Sequence, residues 1–248
     1  MRGLKGRVAV VTGGLGDLGY ATAKRLVEEG CQIAVLDLRP DEHRQAQAIG
    51  ATYWQIDISQ ADALKTVFDQ LSERVGDCSI LINAAALFLF KGVDASLNDF
   101  HRICSVNIAG TSLVTGAAVE HMKRNQGGSI VNLSSISGFI AQPHFATYTA
   151  TKFAIRGLTK AWALDLAPFG IRVNSLCPGS IYTSAFVTRC NALGKDVQAE
   201  DAKESNSILL RRQGRPEEVA SVAAFLASDE ASYMTGADVL VDGGYTAV

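Results

Sequence analysis

The chain has 248 residues, a formal net charge of −2, 48% hydrophobic and 19% charged residues, 23 glycines and 5 prolines. That length fits one large domain that folds without disulfides or metals, and the composition excludes disordered, collagenous and low-complexity chains. The near-neutral charge argues against a nucleic-acid partner, five scattered cysteines without a CxxC pair read as reduced thiols of a cytoplasmic protein, and no apolar run reaches signal-peptide or membrane-span length.

In chain order, short apolar runs mark buried strands: Val8–Val11, Ile33–Leu36, a weaker Tyr53–Ile56, Ile80–Ile82, Ile130–Val131, Ile171–Val173 and Val239–Val241. Helix-length segments lie between them, at roughly 17–29, 41–49, 60–75, 96–124, 146–168 and 216–228. Gly30 and Gly170 stand where helices end, and Pro216 followed by Glu217 and Glu218 where one begins. Strict alternation of strand and helix predicts an α/β fold: one Rossmann-type, doubly wound parallel sheet of about seven strands with helices on both faces, in a single domain over 1–248. Residues 181–215 contain no strand-like run and are expected to cover the substrate site.

The first strand–helix junction carries Gly13, and then Gly14, Gly16 and Gly19 in the pattern G-x-G-x-x-G, with Asp17 and Leu18 between them. Glycines here let backbone N–H groups approach a pyrophosphate at a helix N-terminus. No GK[ST] follows, which disfavours a P-loop. Asp37 closes the second strand, where a carboxylate accepts from ribose hydroxyls and repels a 2′-phosphate. That favours NAD over NADP, although Asp37 also reads as a plain turn residue and Arg39 could attract a phosphate. Asp57, followed by Ile58, closes the third strand. Its carboxylate suits either the adenine amino group or a helix cap.

Tyr148 and Lys152 lie four apart, on one face of a helix. An ammonium beside a phenol is expected to lower the phenol's pKa and fit it for proton exchange with an alcohol or carbonyl oxygen. Ser134 and Ser135 follow the fifth strand, at the sheet edge where ligands bind.

Taken together, Thr12-Gly13…Gly19, Asn83-Ala84-Ala85-Ala86, Asn107, Ser135, Tyr148/Lys152, Pro178-Gly179-Ser180-Ile181-Tyr182-Thr183, Gly214–Val219 and Thr235-Gly236…Gly243-Gly244 resemble the short-chain dehydrogenase/reductase superfamily, in its compact single-domain branch. The resemblance implies an NAD-dependent oxidoreductase that moves a hydride between a secondary alcohol or ketone and nicotinamide. It implies Tyr148 as general acid/base and Lys152 as the group that lowers its pKa and holds the nicotinamide ribose. It further implies Ser135 as the substrate-polarising hydroxyl and Asn107 as anchor of a proton-relay water. Ile181 and Thr183, after Pro178-Gly179, would meet the carboxamide, and Asn83 would support the turn beside the adenosine ribose. The thirteen-residue spacing to Tyr148 favours Ser135 over Ser134.

Two motifs depart from the branch's pattern. Asp17 stands where glycine is usual, giving a spacing like that of the extended, epimerase-type branch, whose substrate domain needs more residues than this chain has. Ala84 and Ala86 replace the usual second Asn and Gly of N-N-A-G. Substrate-lining candidates are Ser135, Ser137, Gln142, His144, Tyr148, Ser180 and Phe186, with Phe88. Their polarity leans toward a small sugar, polyol or hydroxy acid. Leu87–Phe90 reads as pocket wall or subunit packing, and His144 as a cavity residue or an exposed loop histidine. The scattered His43, His101, His121 and His144 predict no metal site. The resemblance also suggests a homotetramer formed through the helices at 96–124 and 146–168, and no membrane association. An NADPH-dependent carbonyl or 3-oxoacyl-type reductase and a catalytically silent NAD-binding scaffold are the alternatives.

Overall fold

Continuous β-branched and aliphatic runs must bury both faces of each strand, and helices on each side of a sheet supply the cover. The computed structural model, which describes residues 1–192 and 194–247, has this arrangement. The expected unit 1–248 and cover 181–215 also include Val248 and Leu193, which lie outside the described residues.

In chain order the elements are β1 (Val8–Thr12), α1 (Asp17–Glu28), β2 (Gln32–Asp37), α2 (Gln45–Ala48), β3 (Thr52–Gln55), α3 (Ala61–Arg74), β4 (Ile80–Asn83), α4 (Leu97–Cys104), α5 (Thr111–Arg124), β5 (Gly128–Leu133), α6 (Ala146–Leu166), β6 (Ile171–Pro178), α7 (Ser184–Ala192), α8 (Val197–Asn206), α9 (Pro216–Ala227) and β7 (Asp238–Val241). The seven strands form one parallel sheet in the order β3-β2-β1-β4-β5-β6-β7. The order reverses between β1 and β4, and that switch point opens a crevice at the strands' carboxyl ends.

Each face has its own core. On one, Ala23 and Leu26 of α1 and Val219, Ala223 and Leu226 of α9 pack on Val11, Val35, Ile82 and Val131. On the other, Leu64, Phe68 and Leu71 of α3 and Val114, Ala118 and Met122 of α5 pack on Val10, Leu36, Leu81 and Ile130.

The structure corrects two of the expected helices and adds helices to the 181–215 segment. The segment 41–49 is helical only over α2, because Arg44 adopts φ +51° and the Asp41 carboxylate takes the Gln45 and Ala46 N–H groups. The segment 96–124 is continuous but changes to a π-turn over Ser105–Gly110, where a Cβ on Gly110 would meet Ile58 at 2.9 Å. This composite helix, Leu97–Arg124, is long and apolar enough by composition to cross a membrane, but Ile103, Val114, Ala118 and Met122 bury it against the sheet. Residues 181–215 hold no strand of the sheet, as expected, but carry α7 and α8 and a single bridge between Ile181 and Gly214.

Gly30 (φ +87°) and Gly170 (φ +69°) do end helical segments in the left-handed region. The N-terminus of α9 is capped by Glu218, whose carboxylate accepts from the Arg215 N–H at 2.8 Å. Cys31, Cys78, Cys104, Cys177 and Cys190 are free thiols, all buried except the half-buried Cys104.

Candidate active site

The β1–α1 turn is shaped by close approach. Gly13 adopts φ +62°, and a Cβ there would lie 2.7 Å from the Ala85 Cα; one on Gly19 would lie 2.1 Å from the Gly13 carbonyl oxygen. Gly16 is different, since its added Cβ would meet nothing closer than 3.3 Å. It stands at the N-cap of α1 and offers no side-chain cap. An uncapped helix N-terminus behind a glycine turn, at the sheet's switch point, suits a dinucleotide pyrophosphate. Leu18 follows on the first turn of α1. Asp37 is buried at the end of β2. One of its oxygens accepts from the Leu15 N–H at 3.0 Å, and the other from the Arg39 N–H at 2.9 Å and from Arg39 Nε at 3.4 Å. The carboxylate therefore fixes the glycine turn and still has lone pairs to offer a diol.

Asn83 departs from its expected role at the adenosine turn. Its amide donates to Thr115 at 3.0 Å and Asn132 at 2.9 Å, within a buried ladder that Asn132 extends to Thr159. The turn is held instead by Thr12, whose hydroxyl accepts from the Ala84 and Ala85 N–H groups, both at 3.1 Å. The sequence pointed to Thr12 only as a motif letter. Ala86 is not among the residues with positive φ, so losing glycine there costs no backbone strain. Asp57 accepts from the Ser59 N–H and hydroxyl at 2.9 and 2.8 Å, as a turn residue, and the Ile58 side chain is buried against the π-turn.

The reacting cluster forms where β5 ends beside α6. Tyr148 and Lys152 are 8% and 4% exposed. Ser134 donates to the Lys152 carbonyl at 2.9 Å and is spent there. Ser135, in extended backbone, instead accepts from the Ser137 N–H at 3.1 Å and stands close enough to the Tyr148 phenol to oppose its pKa rise. Lys152 Nζ donates to the Leu133 carbonyl at 2.8 Å and lies 5.4 Å from the centre of the Tyr148 ring. Burial lowers the Lys152 pKa to about 8, with nearby Cys177 acting weakly in the other direction. Burial also raises the Tyr148 pKa above its ordinary value, and the Ser135 hydroxyl only partly offsets this. The expected lowering of the phenol by Lys152 is thus not found: burial sets the direction, and the ammonium donates to the Leu133 carbonyl.

Asn107 sits in the π-turn. Its amide accepts from the Leu87 N–H at 2.7 Å and donates to the Leu87 carbonyl at 3.1 Å and the Thr151 hydroxyl at 3.2 Å. These bonds use both amide hydrogens and leave the side-chain oxygen one further lone pair. Asn107 pins the loop after β4 to α6, one residue before Lys152.

Comparison with known proteins gives this geometry its context. A family model described as enoyl-(acyl carrier protein) reductase matches residues 15–246. A 3-alpha-(or 20-beta)-hydroxysteroid dehydrogenase of Mycobacterium tuberculosis is 37% identical, over 98% of this chain and 91% of its own length. The chain belongs to the short-chain dehydrogenase/reductase family. An NADP-dependent (R)-specific alcohol dehydrogenase of Lentilactobacillus kefiri is 34% identical over 98% of both chains. The ligand-free aldohexose dehydrogenase of Thermoplasma acidophilum superposes with a TM-score of 0.93 at 32% identity, covering 99% of this chain and 96% of that one. This short-chain dehydrogenase/reductase is therefore an oxidoreductase of CH–OH groups that uses a nicotinamide cofactor.

The dehydrogenase's cover begins at Pro178, where Gly179 donates to Val241 at 2.9 Å, Ile181 bridges Gly214, and the Thr183 hydroxyl caps α7 by accepting from the Phe186 N–H at 3.2 Å. Asp17, on the first turn of α1, accepts from the Ser184 hydroxyl at 2.7 Å. It ties the glycine turn to the cover. Ser180 is bonded to Glu204 and, at 3.1 Å, to Gln213; Glu204 also takes Arg189 at 2.8 Å. Phe186 is buried against Tyr182 and Arg189. Ser137 is buried, Gln142 is half-buried, and His144 is exposed on a left-handed turn at φ +64°. Ser180 is thus committed to Glu204 and Gln213, and Ser137 is buried. Phe88, Phe90 and Phe145 surround Tyr148. Phe145 is distant from the other two in sequence, and nothing in the pattern joined it to them.

Proposed function

We propose that this chain is an NAD-dependent dehydrogenase that reversibly interconverts a secondary alcohol and its ketone, with Tyr148 as the general acid/base. The observation that carries the reading is the convergence of Ser135 and Lys152 on a buried phenol at the carboxyl edge of the sheet. The family's nicotinamide supplies hydride acceptance and donation when bound. Gly13, Gly14, Gly16, Leu18 and Gly19 would take its pyrophosphate and Asp37 its adenosine ribose. Asp57 and Ile58 would flank the adenine, and Pro178, Gly179, Ile181 and Thr183 the carboxamide.

The residues divide the chemistry. The raised pKa keeps the Tyr148 hydroxyl protonated at neutral pH, which suits proton donation to a ketone oxygen. In the alcohol direction the phenol must lose that proton, and positive charge brought close lowers its pKa. Lys152 carries such a charge on a side chain that can leave the Leu133 carbonyl for the phenol. Ser135 donates to the substrate oxygen and orients it. Asn107 is a positioning residue that holds the floor under Thr151 and Lys152.

A second reading, with NADP, draws on Arg39, which is 60% exposed beside Asp37. Titration with NADH and NADPH, followed by nicotinamide fluorescence, separates the two. Tighter NADH binding supports the Asp37 reading, tighter NADPH binding replaces it, and binding of neither removes both. We further propose a cytoplasmic homotetramer, which sedimentation would resolve from smaller assemblies.

A further inference from the structure

Four aromatic rings meet at the mouth of the reacting cluster. Phe88 stacks on Tyr148 at 5.5 Å and 25°, and Phe90 meets the same ring edge-on at 5.4 Å. Phe145 stacks on Phe90 at 4.3 Å and stands at 87° to Tyr148, 6.3 Å away. Phe90 and Phe145 are half-buried and brace one another, so they form a fixed wall. Phe88 is placed differently: one face lies on the phenol, yet the residue is 56% exposed. Here a flat apolar face is left open beside a phenol that is itself only 8% exposed. The Phe88 ring is the exposed apolar surface in contact with the Tyr148 ring.

Of the polar candidates nearby, Ser180, Ser137 and His144 are placed elsewhere, and Gln142 is half-buried. Ser180 is bonded to Glu204 and Gln213, Ser137 is buried, and His144 stands out on an exposed turn. The Ser180 and Ser137 hydroxyls are thus not offered to a substrate, and the wall formed by the three phenylalanines is itself apolar.

We propose that Phe88, Phe90 and Phe145 form an aromatic platform that selects alcohols and ketones bearing a flat apolar ring next to the reacting carbon, with Phe88 as the stacking residue. The proposal rests on the dehydrogenase reading of Tyr148, and it replaces the sugar or polyol expected from the polar candidates. Offset stacking adds to simple burial, so flatness counts as well as size.

The test uses the full chain and three ketones: acetophenone, cyclohexyl methyl ketone and a ketose. Binding is measured by ligand-observed NMR and turnover by nicotinamide absorbance. Wild type should prefer acetophenone to both others. Phe88→Ala should weaken acetophenone by roughly five- to tenfold while changing cyclohexyl methyl ketone by about twofold or less. Phe88→Tyr should restore the preference, and Phe88→Leu, which keeps volume but not the ring, should not. An unchanged order of ligands in Phe88→Ala overturns the platform. So does a wild type that prefers the ketose, or a Phe88→Ala protein that changes its subunit count but keeps acetophenone affinity. If acetophenone binds with the expected loss in Phe88→Ala but no ketone is turned over with either cofactor, the platform stands and the dehydrogenase reading falls.

Discussion

Around Tyr148 and Lys152 the chain ties its polar groups to main-chain atoms: Lys152 to Leu133, Ser134 to Lys152, Asn107 to Leu87, Ser135 to Ser137. Across the cleft, no residue of α8 is buried, and the cover hangs on bonds between side chains: Ser180 and Arg189 on Glu204, Gln213 on Asp201, Ser184 on Asp17. Buried bonds to backbone fix a position, since breaking one strands a polar group away from water. Half-exposed side-chain bonds exchange readily for water and contribute little each. Bonds of the first kind hold the Tyr148 and Lys152 region in register, and bonds of the second kind would let residues 181–215 part at low cost if they cover the substrate site as expected.

The sharpest way to break this contrast is at the phenol. Tyr148→Phe should lower kcat by roughly 10²–10⁴-fold while leaving NADH affinity nearly unchanged in the fluorescence titration. Normal turnover would remove Tyr148 from the mechanism. Next is Asn107→Ala, which strands both backbone groups of Leu87. It should cost about 2 kcal/mol and lower Tm by about 4–8 °C in a chain of this size, with a fall in kcat as Lys152 loses its footing. A Tm within a degree of wild type would show that the floor is not fixed in this way.

Lys152 gives the opposite sign. Its folded pKa of about 8 lies below its ordinary 10.5. A lysine depressed in this way destabilises the fold below pH 8, and the penalty is relieved as pH rises from about 8 toward 10.5. Lys152→Met should therefore lose activity yet raise Tm at pH 7 by about 5 °C, after the lost Leu133 bond is set against the relieved burial. The gain should shrink as pH rises from about 8 toward 10.5. A lower Tm at pH 7 would mean that the ammonium is better solvated than its burial implies. Glu204→Gln, on the cover, should change Tm by about 2 °C or less but raise KM several-fold. The smallest effect concerns Asp17→Asn, which keeps a partner for Ser184 and removes the charge. It should tighten NADH roughly two- to fivefold, more at low salt than at high. No change would mean the carboxylate is turned wholly to the cover.

Much of this was legible in the residues. Runs such as Val8–Val11 and Ile33–Leu36 are buried on both faces, and that local demand fixes strand and sheet type together. The i,i+4 spacing put Tyr148 and Lys152 on one helical face before any fold was known. Other features depend on contacts made across the chain. Whether the phenol's pKa rises or falls is set by burial, which no local pattern carries. Thr12 holds the turn expected of Asn83, and Asn83 joins a buried amide ladder, because their partners, Ala84, Ala85 and Asn132, are chosen by strand register. The π-turn answers to Ile58, far upstream. The aromatic wall joins Phe88 and Phe90 to Phe145, more than fifty residues later.

The buried thiols have a practical consequence. Cys190 lies in α7 of the cover, while Cys31, Cys78 and Cys177 lie in or beside the sheet. Burial pushes the Cys31 thiol up to about 11 and Cys78 to about 12, so both stay inert while folded. A membrane-permeant thiol label added to the native protein would therefore act as a clock with two hands. Cys190 would be marked each time the cover lifts, and Cys177 only when the whole sheet comes apart. The ratio of the two rates would time the opening of the site without any substrate at all.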